Sequence, residues 1–561
     1  MNRRLILTTL AAATAAALAG CAGPYTVSAD VSSYGNWAAD RKPGTYAFDR
    51  LPSQQQSEEA TKRQTTLEAA ARAALERAGF KPAADAKMAD VLVTLGARVT
   101  ADLADADALA IEVPASKLSR LKALKSVAEV ETDAVRTIQG SRATAPARAG
   151  TASSSQVMPY GIPMVQADQV VERGSWTPKV CIIDSGIDAF HEDLSKNKMD
   201  GANFSGEGQW YTDELGHGSH VAGTIAARFN KLGVVGVNAD KQVKLYIAKV
   251  FGSVGSASSS TVALAMSACL QMKADVVSMS LGGDTATNVE ARMARKLAKS
   301  GALVIAAAGN AGTTAISYPA GFPEVMSVAA IDSTKAWANF SQYNADVEIA
   351  APGVSVLSTV PTGTGRDAAL SVAGTSYQAN PLTGAYVGNI DAPLYNFGLG
   401  TAVDTAVAGK VCLISRGSVS FAVKVQNCEA SGGVGAVIYN NAPGNFIGTL
   451  GGVETHIPSM SLSQADGQYL VANQLGSSAA AAVQATNYAY YNGTSMATPH
   501  VSAVAALVWS FHPECKAEEI RNALNMSAED IGVAGRDDKT GNGLVQTKGA
   551  LDYLASHACG V

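Results

Sequence analysis

The chain has 561 residues, of which 47 % are hydrophobic, 16 % charged and 6 % aromatic, with a formal net charge of −5. That length points to two to four domains, and that apolar fraction excludes wholesale disorder. A mildly acidic chain without a Lys/Arg block also excludes a nucleic-acid binder that works by phosphate neutralisation. In chain order, Met1–Gly20 comes first: Arg3 and Arg4 precede the apolar run Leu5–Leu18, the pattern of a secretory signal that is set aside in fold reasoning. No later apolar run reaches the ~18 residues that span a bilayer; Ala302–Ala308 and Val501–Val508 are core-sized.

The segment Leu18-Ala19-Gly20-Cys21 resembles the bacterial lipobox, which implies cleavage before Cys21 and lipid on that residue. Ala22 resembles the sorting residue of outer-membrane lipoproteins, so the resemblance implies an exported, membrane-anchored precursor. A plain signal peptide with an incidental Cys is the alternative. Residues 21–44 read as a tether and 45–134 as a small α+β unit. Thr45–Phe48, Val91–Val99, Ala108–Val113 and Val127–Glu131 are expected strands; Glu58–Arg77 and Ser116–Leu124 are expected helices. This β-α-β-β-α-β order is ferredoxin-like. Residues 135–155, rich in Arg, Ala, Ser, Thr and Gly, read as a flexible linker where nicking concentrates.

From residue 156 short apolar runs alternate with helical patterns. Lys179–Asp184, Lys244–Val250, Asp275–Ser280, Ala302–Ala307 and Val325–Ala330 are the strands. His220–Phe229, Ser260–Lys273 and Glu290–Ser300 are helices. The alternation predicts an α/β fold with a parallel sheet covered by helices on both faces.

Four segments in this region carry chemistry. Val180–Asp184 is an apolar strand ending in a carboxylate. His217 stands where a Gly turn opens a helix, Asn310 follows the buried strand Ala302–Ala307, and Ser495 stands at the mouth of an apolar helix. Pro499 falls near that helix's first turn, where a missing N–H is tolerated. A parallel sheet gathers strand ends and helix starts along one edge. A Ser hydroxyl becomes nucleophilic only beside a base, and the base needs a carboxylate to fix its tautomer. Singly, each residue is more often a cap or turn residue. His217 and His220 lack the further ligands of a zinc site, and no G-x-S-x-G elbow supports a lipase.

The segments IIDSG, GHGSHVAGT, SMSLGG, AAAGN and GTSMATPH, in this order, resemble the motif set of subtilisin-like serine proteases over about residues 155–360 and 487–556. The resemblance implies a subtilisin-like serine endopeptidase acting on polypeptides through an acyl-enzyme. Asp184 would orient, His217 would be the base, Ser495 the nucleophile and Asn310 an oxyanion donor. Gly255, Ser256, Ala257, Ser280, Leu281 and Gly282 would grip an extended peptide, and Ala307, Ala308, Gly309 and Ser317 would line the pocket before the cut bond. A calcium site is implied at Gln156, Asp193 and Asn230 with the carbonyls of Arg228, Leu232 and Val234, all oxygen ligands. The segment ALAIEVPASKLSRLKALKSVAEVETD resembles the end of the family's inhibitory pro-domain, which implies a zymogen. Self-cleavage between about Gly140 and Ser155 would separate the catalytic part from the lipid on Cys21. A monomer is expected. The rival reading is a catalytically silent surface lipoprotein that serves as a binding scaffold.

The stretch between Asn310 and Ser495 is far longer than in minimal members of that family. Residues 375–485, with the strand-like runs Gly409–Gly417 and Gly433–Asn440 around the helical Phe421–Ala430, resemble the β-rich protease-associated (PA) domain of some subtilases. This leaves a catalytic domain of 156–374 and 486–561. The PA domain implies either a role in substrate access or a solubilising insertion. Six Cys remain beyond Cys21. Proximity in the expected modules pairs Cys412 with Cys428 and Cys515 with Cys559, and leaves Cys181 and Cys269 as a third bridge or two buried thiols.

Overall fold

The computed structural model describes residues 97–124, 127–142, 156–171, 174–239 and 243–559, and the backbone of two short strands, β1 (Thr45–Tyr46) and β2 (Lys81–Pro82). The signal segment, Cys21, the tether and the expected helix Glu58–Arg77 lie outside the described residues. β1 and β2 pair in parallel within an N-terminal unit, Met1–Ala97. The second unit, Arg98–Val561, holds the other elements of the described residues.

That unit opens with an antiparallel hairpin, β3 (Arg98–Leu103) and β4 (Ala108–Glu112), and a short helix, α1 (Leu118–Lys122). Residues 127–131 form no strand, contrary to expectation. Nor do residues 135–142 behave as a linker: Val135–Ile138 is a strand (β5), and so is Ser141–Arg142 (β6). Both find partners far away in sequence, which local composition does not reveal.

After the short helix α2 (Gly161–Met164) come β7 (Lys179–Asp184), β8 (Lys198–Asn203), α3 (His217–Ala226), β9 (Lys244–Lys249), β10 (Ser256–Ser258) and α4 (Ser259–Gln271). Then follow β11 (Val276–Met279), β12 (Leu281–Gly282), α5 (Asn288–Lys299), β13 (Leu303–Ala307), β14 (Val325–Ile331) and β15 (Val347–Pro352). Seven of these strands form one parallel sheet in the order β15-β14-β13-β11-β7-β9-β8. Strand β7 shows why both faces are covered. Val180 and Ile182 enter one core with Val221, Ile225 and Val504, whereas Cys181 and Ile183 enter the other with Val262, Met266 and Leu297. Period-two alternation on a strand apolar at both faces requires helices on each side.

After β16 (Val356–Thr359) an inserted module begins, comprising β17 (Gly365–Val372), β18 (Thr375–Tyr377), β19 (Asn380–Pro381), β20 (Gly388–Asn396), β21 (Val411–Ser415), α6 (Phe421–Ala430), β22 (Gly435–Tyr439), β23 (Ser459–Leu462), α7 (Gln464–Asn473) and β24 (Ser478–Thr486). Its eight strands make one mixed sheet around a separate core containing Leu394, Val411, Leu413, Val437 and Met460. The chain then returns through β25 (Tyr488–Asn492) to α8 (Thr494–Phe511), α9 (Ala517–Met526) and α10 (Thr547–His557). Residues 494–510 of α8 are all buried, as an apolar helix at the centre of a large fold should be.

Three disulfides are formed among the described residues: Cys181–Cys269, Cys412–Cys428 and Cys515–Cys559, with Cα–Cα separations of 5.8, 6.2 and 5.2 Å. The first ties the central strand β7 to α4 and resolves the alternative left open by the sequence. No helix among the described residues is long and apolar enough to cross a membrane.

Candidate active site

Asp184 ends β7, and His217 is the first residue of α3, after Gly216 at φ +78°. The two meet below the surface: His217 Nδ1 and Asp184 Oδ1 are 2.7 Å apart. Asp184 Oδ1 also accepts the Ser185 N–H at 2.7 Å. His217 Nε2 is buried without a hydrogen-bond partner among the described residues. Because Nδ1 faces a carboxylate, it carries the proton in the neutral ring and leaves Nε2 as the basic atom.

The start of α3 is held by a residue the sequence reading missed. Asp213 is buried and accepts the N–H groups of Gly216 (2.8 Å) and Ser219 (2.7 Å) and the hydroxyls of Ser185 (2.8 Å) and Ser219 (2.7 Å). A carboxylate at a helix N-terminus satisfies otherwise unpaired N–H groups. Burial pushes the Asp213 carboxyl up, and its hydrogen bonds oppose the shift. The sequence signal was an acidic residue just before the helix-opening Gly216.

Ser495 is the second residue of α8. Its Oγ donates to the Ser280 carbonyl at 2.7 Å rather than to His217. Pro499 is the sixth residue of this helix, beyond the region where a missing N–H costs nothing. The N–H it lacks would have served the Ser495 carbonyl. Ser280 Oγ donates to that carbonyl instead, at 2.9 Å. Asn310 Oδ1 accepts both the N–H and the hydroxyl of Thr494, each at 2.9 Å. The backbone N–H fixes which end of the carboxamide is oxygen, and Nδ2 would lie 3.1 Å from a Cβ at Gly493.

The two segments expected to grip a peptide, β10 and β12, are paired by the chain itself. β5 lies between β10 and β12, antiparallel to both. Thr137, Arg136 and Val135 face Ser256, Ala257 and Ser258; Ile138 and Thr137 face Leu281 and Gly282. Gly255 makes the turn into β10 at φ +71°. The Gln139 N–H donates to the Ser280 carbonyl at 3.2 Å, and its own carbonyl accepts the Ser495 N–H at 3.0 Å. A side chain at Gly140 would begin 2.9 Å from His217 Nε2. β6 then pairs with β25, Tyr491 facing Arg142 and Asn492 facing Ser141. Gly493 permits the approach: its φ is +150°, and a Cβ there would collide with the Gln139 carbonyl oxygen. The Gln139 carboxamide donates to Thr137 Oγ1 (3.3 Å) and to the Gly282 carbonyl (3.4 Å), not to Ala307, Ala308 or Gly309, which are buried at the end of β13. The Ser317 hydroxyl lies against Gly282.

The segment leading into β5 is anchored by acidic side chains, which is what residues 127–133 do in place of forming a strand. Glu131 accepts the Asn288 and Val289 N–H groups of α5 at 2.6 and 3.0 Å. Asp133 accepts the Ser260 N–H of α4 at 2.8 Å and the Ser259 and Ser260 hydroxyls at 2.8 and 2.6 Å. Two helix N-termini are thereby capped by carboxylates.

The residues singled out for a cation also gather. Four oxygens surround Gln156 Nε2: the carbonyls of Arg228 (2.7 Å), Leu232 (3.0 Å) and Val234 (3.3 Å), and Asn230 Oδ1 (3.2 Å). An amide nitrogen has two hydrogens, so it cannot serve four acceptors. The Asp193 carboxylate stands beside them, bonded to Asn230 Nδ2 (2.7 Å) and the Val234 N–H (2.8 Å). Burial pushes its carboxyl up. An all-oxygen set with surplus acceptors fits a hard cation.

Comparison with known proteins agrees with this geometry. The profile of the subtilase family matches residues 176–391 and 428–543, and that of the PA domain matches 372–470. Subtilisin DY of Bacillus licheniformis is 42 % identical over 237 residues, 41 % of this chain and 84 % of that protein. Subtilisin Savinase of Lederbergia lenta is 39 % identical over 233 residues, 41 % of this chain and 83 % of that protein. The crystal structure of the psychrophilic subtilisin-like protease Apa1 from the Antarctic psychrotroph Pseudoalteromonas sp. AS-11 aligns with a TM-score of 0.55 at 39 % identity, covering 72 % of this chain and all of that one. The chain belongs to the subtilase family and is a subtilisin-like serine endopeptidase that carries an inserted PA domain.

Proposed function

We propose that Asp184, His217 and Ser495 act as the triad of this endopeptidase, and that its first substrate is its own Gln139–Gly140 bond. The observation that carries the reading is the Ser495 N–H on the Gln139 carbonyl, with His217 Nε2 unpartnered beside Gly140. For attack, the Ser495 hydroxyl leaves the Ser280 carbonyl and donates to His217 Nε2. Its oxygen bonds to the Gln139 carbonyl carbon, and the oxyanion is held by the Ser495 N–H and Asn310 Nδ2. The C–N bond to Gly140 breaks as His217 returns the proton to the Gly140 nitrogen. Water, deprotonated by the same imidazole, then releases the acyl-enzyme.

Other polypeptides would add as a strand between β10 and β12 once residues 135–142 have left, a mode of binding carried mainly by main-chain hydrogen bonds. Residues 45–139 would then be a pro-region. One cleavage would part the catalytic domain from Cys21, the residue we assign to a lipid anchor, and release it outside the cell as a monomer that needs no nucleic acid. Gln156, Asp193, Asn230 and the carbonyls of Arg228, Leu232 and Val234 would hold a structural calcium ion, which supplies positive charge to a loop rich in oxygen acceptors.

Labelling with a fluorophosphonate tests the triad. The mature protein is expected to react at Ser495, and both Ser495→Ala and His217→Ala are expected to abolish labelling. Labelling that survives His217→Ala would overturn the assignment of the base. Asn310→Leu is expected to lower kcat on the order of 10²–10³-fold, the range known for such a donor in a subtilisin.

A further inference from the structure

The strand in the cleft carries an ion pair that the catalytic proposal does not use. Counting back from Gln139, the fourth residue before the bond is Arg136. Its Nε donates to Glu290 Oε1 at 3.0 Å, and its Nη2 donates to Glu290 Oε2. Nη2 also donates to the Thr285 carbonyl at 2.8 Å, and Nη1 to the Val135 carbonyl at 3.0 Å. Both charged side chains are 0 % exposed. Arg and Glu are almost never so buried unless paired, and here the planar fork of the guanidinium matches the two carboxylate oxygens.

The two partners belong to parts of the chain with different fates. Arg136 is on the strand that would leave after processing; Glu290 is in the first turn of α5 and stays. Once β5 has gone, the hydrogen bond left to the Glu290 carboxylate among the described residues is that from Thr287 Oγ1, 2.8 Å from Oε2. The pocket then presents a carboxylate, a hydroxyl and the Thr285 carbonyl, all of which can accept hydrogen bonds. Register places this position opposite Ala257, so the corresponding residue of any added strand meets the same surroundings.

We infer that Glu290 is a specificity-determining residue that selects substrates with Arg four residues before the cleaved bond. The inference rests on the reading that residues 135–142 occupy the cleft as a substrate does. Lys offers a point charge in place of a fork and cannot make the bidentate pair. An apolar residue leaves a buried carboxylate uncompensated.

The test uses enzyme produced from the full chain and purified after its own processing. Quenched peptides carry the sequence of residues 135–142, with Arg, Lys, Met or Ala at the position of Arg136. The expected result is a kcat/KM for the Arg peptide about 30-fold or more above that for Ala, with Lys between. In Glu290→Gln enzyme the Arg/Ala ratio should collapse to within about threefold. Should that variant fail to fold, the wild-type series decides alone. Equal cleavage of all four peptides by wild-type enzyme overturns the inference while leaving the protease reading intact. No cleavage of any peptide, together with no fluorophosphonate labelling, overturns the protease reading and this inference with it.

Discussion

The backbone N–H of Ser495 and the carbonyl oxygen of Gln139 lie 3.0 Å apart, so the chain holds one of its own peptide bonds at the mouth of the helix that bears the proposed nucleophile. The bond after Gln139 is therefore the expected processing site, one residue earlier than the linker reading placed it. Mature protein should begin at Gly140, and Ser495→Ala should accumulate as an uncleaved precursor that keeps Cys21. N-terminal sequencing and intact mass check both. A mature start beyond Ser141, or a processed Ser495→Ala protein, would sink the assignment.

Gly493→Ala puts a methyl group 2.2 Å from the Gln139 carbonyl oxygen, too close for either to stay in place. Displacing a carbonyl by about 1 Å from its donors costs on the order of 10²-fold in rate. The variant should be slow to process and should cleave casein weakly, while circular dichroism stays native. Near-normal turnover in the variant would mean that substrates bind elsewhere.

Stability should fall in acid through two buried imidazoles. His220 donates from Nε2 to the Val356 and Ala489 carbonyls (3.0 and 3.1 Å), and His500 from Nδ1 to the Met496 carbonyl (2.8 Å). Each leaves its other nitrogen buried and without a partner among the described residues. Burial, the main cause, pushes His220 down to about 3 and His500 to about 4. Both lie below the unfolded value near 6.5, so the unfolded chain binds more protons between these limits. Stability is therefore full above that value and is lost as pH falls toward the folded pKa values, by up to tenfold in the unfolding constant per pH unit for each ring. Buried carboxyls such as Asp213, pushed up by burial, act in the opposite sense. Comparison with a His500→Asn variant isolates one ring. Urea midpoints from pH 7 to 4.5 should show a shallower slope for the variant; parallel slopes would exclude His500 as a titrating group.

Chelation should lower the thermal midpoint by several degrees, since an ion bound only to the folded state stabilises it by mass action. Asp193→Asn should weaken the response to added calcium. Identical melting curves with EDTA and with millimolar calcium would count against the site.

Much of the scaffold was legible from residue order. Lys179–Asp184 and Phe421–Ala430 fall where apolar runs and helical spacing placed them. Such patterns are local, because a buried strand must be apolar over its own length. Arg136 and Glu290 were not legible. They are 154 positions apart, and Arg136 sits in a polar stretch with the composition of a linker. The pull of Asp133 and Glu131 on two helix N-termini was hidden for the same reason, since alternating Val and Glu also suits an exposed strand. Asp213 escaped because an acidic residue before a helix is ordinary.

The five ordered motifs that contain Asp184, His217, Asn310 and Ser495 were sufficient to place the chain in its family. Such residues are constrained by the elements that carry them, and those elements write their periodicity into the sequence. Which strand pairs β10 and β12, which carbonyl meets the Ser495 N–H and which carboxylate meets Arg136 were decided only by folding. Backbone pairing between distant strands leaves no mark on either partner's pattern, and a buried charge is recognisable only when the group that neutralises it is in place.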